Sequence, residues 1–180
     1  MTGGKGARRV LPSRDECIGM LGENGCSQSV VQHCIAVSDL AVRIAKRAEA
    51  DVRLVEAGAL LHDIGRCRSH GIDHAVIGVE IVEQMKLPTA VVKIIERHIG
   101  GGLTRAEAKA LGLPDKEYIP KTLEEKIVAH ADKLISGTRR TTVREAVSRF
   151  TRRGLHDSAL RILELHEELS ALCGVNIDDV

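Results

Sequence analysis

A short stretch in the first half of the chain combines three histidines and two aspartates, residue types that ligate metal ions and transfer protons. It reads LLHDIGRCRSHGIDH over residues 60–74 and continues an apolar run with helical spacing. A hydrophobic core excludes polar groups that lack a partner, because each such group costs several kcal/mol. The stretch therefore predicts that imidazoles and carboxylates are gathered in the interior to carry out chemistry.

Several polar residues share one property: each has apolar residues three or four positions away in a predicted helix, and so lies on the face that meets the core. These residues are His33, His62, His74, His98 and Asp132. Taken singly, each histidine could simply be buried and hydrogen-bonded to a backbone carbonyl. Taken together they need common partners, which divalent metal ions would supply. Mixed imidazole and carboxylate ligands suit Mn, Fe, Co, Ni or Zn better than Ca or Mg.

The adjacent pair His62–Asp63 constrains where such a site can lie. Neighbours on a helix point about 100° apart, so both reach one ion only if it lies beyond the helix end or between the two directions. Ile64–Gly65 follows and is a natural place for the helix to stop. We therefore predict a site at the C-terminal end of this helix, facing the centre of a bundle.

The elements that must position these residues are predicted to be helices. The only aromatic residues are Tyr118 and Phe150, so Leu, Ile, Val and Ala must build the core, which favours packed helices over a β-sandwich. No strand pair is evident, and the GGG at 100–102 predicts a flexible break. Helix starts are predicted at Ser13, Ser27, Asp51, Asp73, Pro88, Thr104, Thr122 and Thr142. The predicted fold class is all-α, with a loose tail over 1–12 and a single domain over 13–180.

The pattern H…HD…D falls on His33, the pair His62–Asp63 and Asp132. This set resembles the HD-domain metal-dependent phosphohydrolase superfamily, HDIG type, over about residues 27–137. The resemblance implies a helical bundle in which these four residues bind one metal ion at the core. Helices over about 141–173 would then be an addition to that core.

The resemblance also implies a second ion. Some members have two further histidines between the HD pair and the last Asp, and His74 and His98 occupy such positions. Asp63 would then bridge the ions, with a water or hydroxide between them whose proton it accepts. The cofactors expected are two divalent transition metal ions (Mn, Fe, Co, Ni or Zn), with Mg left open. The chain resembles bacterial symmetrical dinucleoside-tetraphosphate hydrolases, and it lacks the extra signature of HD-GYP phosphodiesterases.

The preferred function is metal-dependent hydrolysis of a phosphate ester or anhydride, in a nucleotide, by a metal-activated water. Phosphomonoesterase, phosphodiesterase and pyrophosphohydrolase activities are not distinguished. Arg66 and Lys133 are candidates to hold a substrate phosphate beside Asp63, with a surface charge as the alternative for each. Two other functions stay open: a di-iron oxygenase of the same superfamily, and a ligand-binding or regulatory module whose metal is structural.

Simpler roles are expected for the remaining histidines and arginines. His70 is expected in an exposed loop, and His130 points away from Asp132 and is expected to be structural or to support a ligand. His156, His166 and Arg97 are expected at the surface. Six arginines over 139–153 either grip a phosphate-rich ligand or form a solvated helix face.

Net charge and cysteine content limit the kinds of partner and the cellular compartment that can be expected. The formal net charge of +1 and the near absence of aromatics argue against nucleic acid and membrane partners. Five cysteines without a CxxC pair indicate reduced thiols in a cytoplasmic protein. Neither a secretory signal nor a membrane-spanning run is evident. The expected partner is a small phosphorylated substrate such as a nucleotide, and a homo-oligomer is left open.

Overall fold

The computed structural model of the protein describes residues 10–180, so most of the predicted tail over 1–12 lies outside the described residues. Within the described part the chain forms nine α-helices and one short β-ribbon, which confirms the all-α fold class. The helices are α1 Arg14–Glu23, α2 Gln28–Arg47, α3 Val52–Leu61, α4 His74–Gln84, α5 Thr89–Arg97, α6 Arg105–Ala110, α7 Leu123–Lys133, α8 Val143–Thr151 and α9 His156–Cys173. Two 3₁₀ helices lie at Ile64–Cys67 and Ile177–Asp179.

Side-chain caps explain why the sequence located most helix starts. Six of the eight predicted capping residues accept a hydrogen bond from a backbone N–H in the first turn; they are Ser13, Ser27, Asp51, Thr104, Thr122 and Thr142. Pro88 precedes α5 without a side-chain bond. Asp73 precedes α4 but does not cap it, because its carboxylate accepts a hydrogen bond from Ser69 Oγ at 2.6 Å instead.

Aliphatic side chains build the core, as the composition predicted. One buried cluster joins α2, α3, α5, α7, α8 and α9, and a second joins α1 to α5. Adjacent residues of α5 enter different clusters, Ile94 the first and Ile95 the second. Helices α3 and α5 therefore lie between the two clusters and are held from both sides.

A two-residue β-ribbon follows α7 and was not predicted. Strand β1, Ile135–Ser136, pairs with β2, Arg139–Arg140, in antiparallel register. Gly137 in the turn has φ of +62°, a conformation that glycine adopts without a Cβ penalty. Two residues per strand are too few to give an alternating pattern, which is why the ribbon left no periodic signal in the sequence.

The three glycines at 100–102 form a buried turn and not the flexible break expected from their type. Gly102 N–H donates to Ile99 O at 2.9 Å. A Cβ at Gly101 would lie 2.8 Å from the Cβ of Arg161 and 2.9 Å from Ile162 N, both on α9. The missing side chains therefore let α9 approach this turn closely. None of the helices in residues 10–180 combines the length and apolar character needed to cross a membrane.

Candidate metal centre

Polar side chains carried by five helices, or by the residues that directly follow them, meet in one place. His33 lies in the second turn of α2, His62 and Asp63 directly follow α3, His74 begins α4, His98 directly follows α5, and Asp132 lies in the last turn of α7. The three most deeply placed are His62, Asp63 and His98, with exposed fractions of 0%, 3% and 1%. All six residues predicted from helical spacing and the HD resemblance are thus brought together.

The end of α3 lets neighbouring His62 and Asp63 face the same space. The α-helix stops at Leu61, and after His62 and Asp63 the chain turns into the 3₁₀ helix Ile64–Cys67. A Cβ at Gly65 would lie 1.9 Å from His74 O, so only glycine lets this 3₁₀ helix rest against α4. His62 Nε2 and Asp63 Oδ2 end 3.6 Å apart, at the C-terminal end of α3 as predicted.

Backbone carbonyls fix the orientation of all four imidazoles. In each ring Nδ1 lies 2.7 Å from a carbonyl oxygen. The pairs are His33 with Gly137, His62 with Ala59, His74 with Gly71 and His98 with Ile95. Because a carbonyl oxygen only accepts, Nδ1 carries the proton and donates it. In the neutral ring Nε2 then presents its lone pair to the centre, the tautomer a metal ligand needs.

His33, His62 and Asp132 form a first group of ligand-type atoms, all within 4.8 Å of one another. His33 Nε2 lies 3.0 Å from Asp132 Oδ1, and His62 Nε2 lies 3.5 Å from the same oxygen. The ammonium of Lys133 pairs with the other oxygen of Asp132. One face of this carboxylate therefore meets imidazoles and the other meets a cation.

His62, Asp63 and His98 form a second group within the same 4.8 Å limit, and His74 adjoins it. Asp63 Oδ1 faces His74 Nε2 at 3.1 Å and His98 Nε2 at 3.5 Å. Asp63 Oδ2 faces His33 Nε2 at 3.8 Å and accepts a 2.5 Å hydrogen bond from Arg66 Nε. Oδ1 of Asp63 thus faces His74 and His98, whereas Oδ2 faces His33.

The donor set fits a cation better than it fits itself. The Nε2 atoms of His74 and His98 lie 2.9 Å apart while both Nδ1 atoms hold protons, so in neutral rings two lone pairs oppose each other. Among the described residues, His62 Nε2 and Asp63 Oδ1 are buried without a hydrogen-bond partner. Buried polar atoms left in this state are costly, and a positive ion would satisfy them together.

The charges of the centre point the same way. Burial alone would raise the pKa of Asp63, but His62, His74 and His98 hold it well below the ordinary value. Burial likewise acts against the charge of Asp132, whose pKa is held low by Lys133 and then His33. Burial lowers the pKa of His98 to about 4, so this ring is neutral at pH 7. Burial also opposes the charge on His62, yet Asp63 and Asp132 raise its pKa. The two carboxylates therefore favour a positive charge in the interior.

Two cavities open onto the centre, and they share the lining residues Arg66, Asp132, Lys133, Phe150 and Arg153. One, of about 530 Å³, is lined by His33, Asp132, Arg66 and Lys133, and also by Arg149, Arg152 and Arg153 from the end of α8. The other, of about 240 Å³, is bordered by His74 and His98 and by mainly apolar side chains. Arg66 and Lys133 thus lie beside Asp63 and Asp132, and their predicted contact with a substrate phosphate stays a prediction. The sequence left two alternatives for the arginines over 139–153, contact with a phosphate-rich ligand or a solvated helix face. Only their high local density indicated that Arg149, Arg152 and Arg153 would lie beside the centre.

The structure confirms some of the predictions for five other residues and contradicts others. His70 and His156 are exposed, as expected. His166 was expected at the surface, which is wrong: it is buried, and its Nδ1 lies 3.1 Å from His130 Nε2. Its spacing from Ile162 and Leu169 on the buried face of α9 was the signal missed.

The pair His130–His166 forms its own hydrogen-bonded contacts, separate from those of the six ligand-type residues. His166 Nε2 lies 3.0 Å from Asn176 Oδ1. Burial, with His166 and Arg140 nearby, lowers the pKa of His130 to about 3. Arg97 was also expected to be exposed and is instead largely buried, because it pairs with Glu125 at 2.9 Å. These contacts join α7 to α9 and α5 to α7, and so have a structural role.

Comparison with known protein families places this geometry in context. The family model described as HD domain matches residues 30–137. A tRNA (cytidine(56)-2'-O)-methyltransferase of Picrophilus torridus is 45% identical over 96% of the chain. The chain spans only about half of that relative and of a similar one, 50% and 51% of their lengths. An uncharacterized protein of Methanocaldococcus jannaschii is 49% identical, over 83% of this chain and 93% of its own.

More distant similarities extend to a ribonuclease and to a phosphodiesterase domain. Ribonuclease Y of Acidothermus cellulolyticus is 33% identical over 70% of this chain and 23% of its own length. The HD domain of the L. monocytogenes phosphodiesterase PgpH, solved in complex with cyclic-di-AMP, superposes with a TM-score of 0.54 at 17% identity. That superposition covers 88% of this chain and 96% of the other. At this identity it shows a shared fold.

Proposed function

Because the chain belongs to the HD domain family, we propose that it is a metal-dependent phosphohydrolase acting on a phosphate ester or anhydride of a nucleotide. The observation that carries the proposal is the convergence of four Nε2 atoms and two carboxylates, among which His62 Nε2 and Asp63 Oδ1 are buried without a hydrogen-bond partner. Neither a di-iron oxygenase nor a module with a structural metal is favoured by a specific feature of the site, whereas the basic cavity beside it suits a phosphate.

The two groups of ligand-type atoms support a two-ion centre. His33, His62 and Asp132, with Oδ2 of Asp63, would hold the first ion. His74 and His98, with Oδ1 of Asp63, would hold the second. Asp63 would serve both ions, since its Oδ2 faces His33 and its Oδ1 faces His74 and His98. A carboxylate can serve two ions in this way, which a neutral imidazole with one free lone pair cannot.

The residues around the ligands supply charge for binding a phosphoryl group. When bound, two divalent ions lower the pKa of a water and stabilise the oxygens that attack and leave phosphorus. Arg66 and Lys133 line the larger cavity next to Asp63 and Asp132. From there a guanidinium and an ammonium can donate charge-assisted hydrogen bonds to the remaining phosphate oxygens and orient the substrate.

The names of the relatives support a nucleotide substrate without fixing it. The PgpH structure holds cyclic-di-AMP, and ribonuclease Y is named for cleavage of RNA. The apolar cavity bordered by His74 and His98 would suit a base or a sugar. The methyltransferase relatives are about twice as long as this chain, so their name does not assign methyl transfer to this segment.

The test compares Asp63→Asn with the wild type, because this change keeps the size of the side chain and removes its negative charge. Both proteins are assayed on nucleoside mono-, di- and polyphosphates and cyclic nucleotides, with Mn, Fe, Co, Ni and Mg supplied in turn. We expect the variant to lose both ions and at least about 100-fold in rate, beyond what groups that only orient a ligand usually cost. The matched control is Asp39→Asn, which changes an exposed carboxylate of α2 and should keep both the metal ions and the wild-type rate.

Wild-type rates in Asp63→Asn on the best substrate would contradict the assignment of the site. A wild type that hydrolyses no compound of the panel, but consumes oxygen when loaded with iron, would replace the proposal with the oxygenase.

A further inference from the structure

A basic surface extends from the candidate metal centre along α8. The cavity of about 530 Å³ at the centre adjoins a second one of about 410 Å³, and both are lined by Ser136, Arg149 and Arg152. The second cavity leads on to Arg139 and Arg144. We call this continuous surface the arginine groove; its arginines are Arg139, Arg144, Arg149, Arg152 and Arg153.

The charges of the arginine groove are largely unneutralised. Among the described residues, only Arg139 of this set forms an ion pair, with Glu145 at 3.5 Å, and both side chains are mostly exposed. Arg149 donates to Lys133 O at 2.7 Å and Arg152 to Ser148 O at 3.2 Å, contacts that position the guanidinium without cancelling its charge. Elsewhere basic residues do meet carboxylates, as Arg161 meets Glu107 at 2.7 Å. The groove is therefore a site of concentrated positive charge in a chain of net charge +1.

The spacing of these arginines gives the groove direction and length. Arg149, Arg152 and Arg153 are three and four residues apart, so they project from one side of the helix end. Arg144 lies two turns before Arg152, the C-cap of α8, so the two are about 12 Å apart along the helix at 1.5 Å per residue. A single phosphate occupies only a small part of that length. The groove therefore suits an anion with several phosphates in succession.

The access to the centre favours a flexible strand over a double helix. His62 and Asp63 are 0% and 3% exposed, so a phosphate must descend into the cavity to approach them. A free end or a single strand can do this, whereas base pairing would hold a duplex at the surface. Phe150, one of two aromatic side chains in the chain, borders both cavities that open onto the centre. Its ring offers a face on which a base can stack.

We propose that the arginine groove binds the phosphate backbone of single-stranded nucleic acid, so that the centre acts on an oligonucleotide. The action on an oligonucleotide rests on the proposed phosphohydrolase function, whereas the binding of the strand by the groove does not. The proposal differs from the expectation that the net charge of +1 argues against nucleic acid, because the net charge of the whole chain does not show how arginines cluster locally. Helix α8 lies outside the matched residues 30–137, so an element beyond the family segment would select the substrate.

The test measures binding with turnover prevented. Fluorescein-labelled single-stranded RNA of ten nucleotides is titrated in EDTA with the wild type and with the double variant Arg144→Gln/Arg152→Gln, and anisotropy is read across a range of salt concentrations. Losing two phosphate contacts should weaken binding about tenfold or more and flatten the slope of log K against log[salt] by about 1.4. Circular dichroism and thermal unfolding check that the variant is folded.

The control is Arg47→Gln/Arg53→Gln, which removes the same charge from exposed positions. Arg47 ends α2 about 21 Å along the helix from His33, and Arg53 lies at the start of α3, so both are at the end remote from the centre. This control should bind like the wild type. A groove variant with wild-type affinity and salt slope would overturn the proposal.

Competing ligands separate the possible sources of phosphate. Single-stranded DNA of the same sequence should compete as RNA does, while AMP and the matching duplex should compete at least about tenfold more weakly. Equal competition by AMP would overturn the proposal, because the groove would then bind no more than one phosphate. A strand that binds through the groove but is not cut with any metal would contradict an oligonucleotide substrate, whereas a failure to hydrolyse any nucleotide of the panel would contradict the phosphohydrolase proposal, so the two failures are distinguishable.

Discussion

At the scale of single residues, the four histidines of the centre use their two ring nitrogens differently. Nδ1 is fixed on a carbonyl 2.7 Å away, and Nε2 faces the two carboxylates. His74 and His98 approach only Asp63 among the carboxylates, whereas His33 also reaches Asp132 at 3.0 Å. The geometry therefore separates the residues expected to serve each ion.

Removing one histidine should accordingly remove one ion. We expect His98→Ala and His74→Ala each to lower the metal content from two ions per chain to about one, and Asp132→Ala to lose the other ion, since the remaining group keeps its own ligands. Elemental analysis after loading with Mn and desalting measures this. His156→Ala, at an exposed position, is the control and should keep both ions. Two ions retained in His98→Ala would remove this residue from the ligand set.

Helical spacing predicted five of the six residues of the centre, and the HD resemblance added Asp63. Neither could identify the carbonyl that orients His33, because Gly137 lies 104 residues away and only the folded chain joins them. The contact of Arg66 with Asp63, at 2.5 Å, is equally a property of the folded turn. The sequence therefore predicts the members of the centre but not the bonds between them.

At the scale of elements, the junction of α3, the short 3₁₀ helix and α4 holds the centre together. Gly65 touches the backbone of α4, where a Cβ would lie 1.9 Å from His74 O and 2.6 Å from Gly78 N. Backbone atoms cannot rotate aside as a flexible side chain can. A side chain at this position must push α4 and its His74 away from Asp63.

We therefore expect Gly65→Ala to lower the free energy of unfolding by about 3 kcal/mol and to reduce metal binding. Urea denaturation and metal analysis measure the two effects. Gly19→Ala is the control, because a Cβ at this position in α1 meets no atom within 4 Å. That change should stabilise the protein by up to about 1 kcal/mol, since alanine is the better helix former. Equal stability of the two variants would contradict the close contact at Gly65.

The elements themselves were largely predictable, since capping side chains announce helix starts locally. The ribbon β1–β2 was not, because its strands are too short to show a period. The position of α8 beside the centre was also beyond the sequence. An amphipathic helix indicates that one face is buried, but not which neighbour covers it.

At the scale of the whole molecule, the C-terminal helices share the core of the HD segment. Ala146 of α8 and Ile162 and Leu169 of α9 belong to the same buried cluster as Ile44 of α2 and Val128 of α7. This continuity supports our proposal that residues 13–180 form a single domain, with α8 and α9 added to the family segment. The added helices should then unfold together with the rest.

One link in that unit gives a pH-dependent prediction. Glu107 of α6 lies 2.7 Å from Arg161 of α9. Burial would raise the pKa of Glu107, but Arg161 and Thr104 hold it below the ordinary value. The charge therefore stabilises the fold above the unfolded pKa of about 4.3, and this contribution is lost as the pH falls through the lower, folded pKa.

We expect Glu107→Gln to lower the free energy of unfolding by about 1 kcal/mol at pH 7. The difference from the wild type should shrink towards zero as the pH falls below about 4. Glutamine can still cap α6, so the change isolates the charge. Denaturant unfolding at a series of pH values measures it, with Glu164→Gln, at an exposed position of α9, as the control. A difference that persists unchanged in acid would mean that the ion pair is not its source.

The carbonyls that aim the four imidazoles belong to the main chain, and this has an evolutionary consequence. A substitution can delete a carboxylate that orients a histidine, but no substitution deletes a peptide carbonyl. Residues such as Ala59 and Ile95 can therefore drift among side chains that preserve the local helix, while the rings they support keep their aim. The support of the centre is inherited with the path of the backbone, and it can persist among distant homologues whose sequences no longer reveal it.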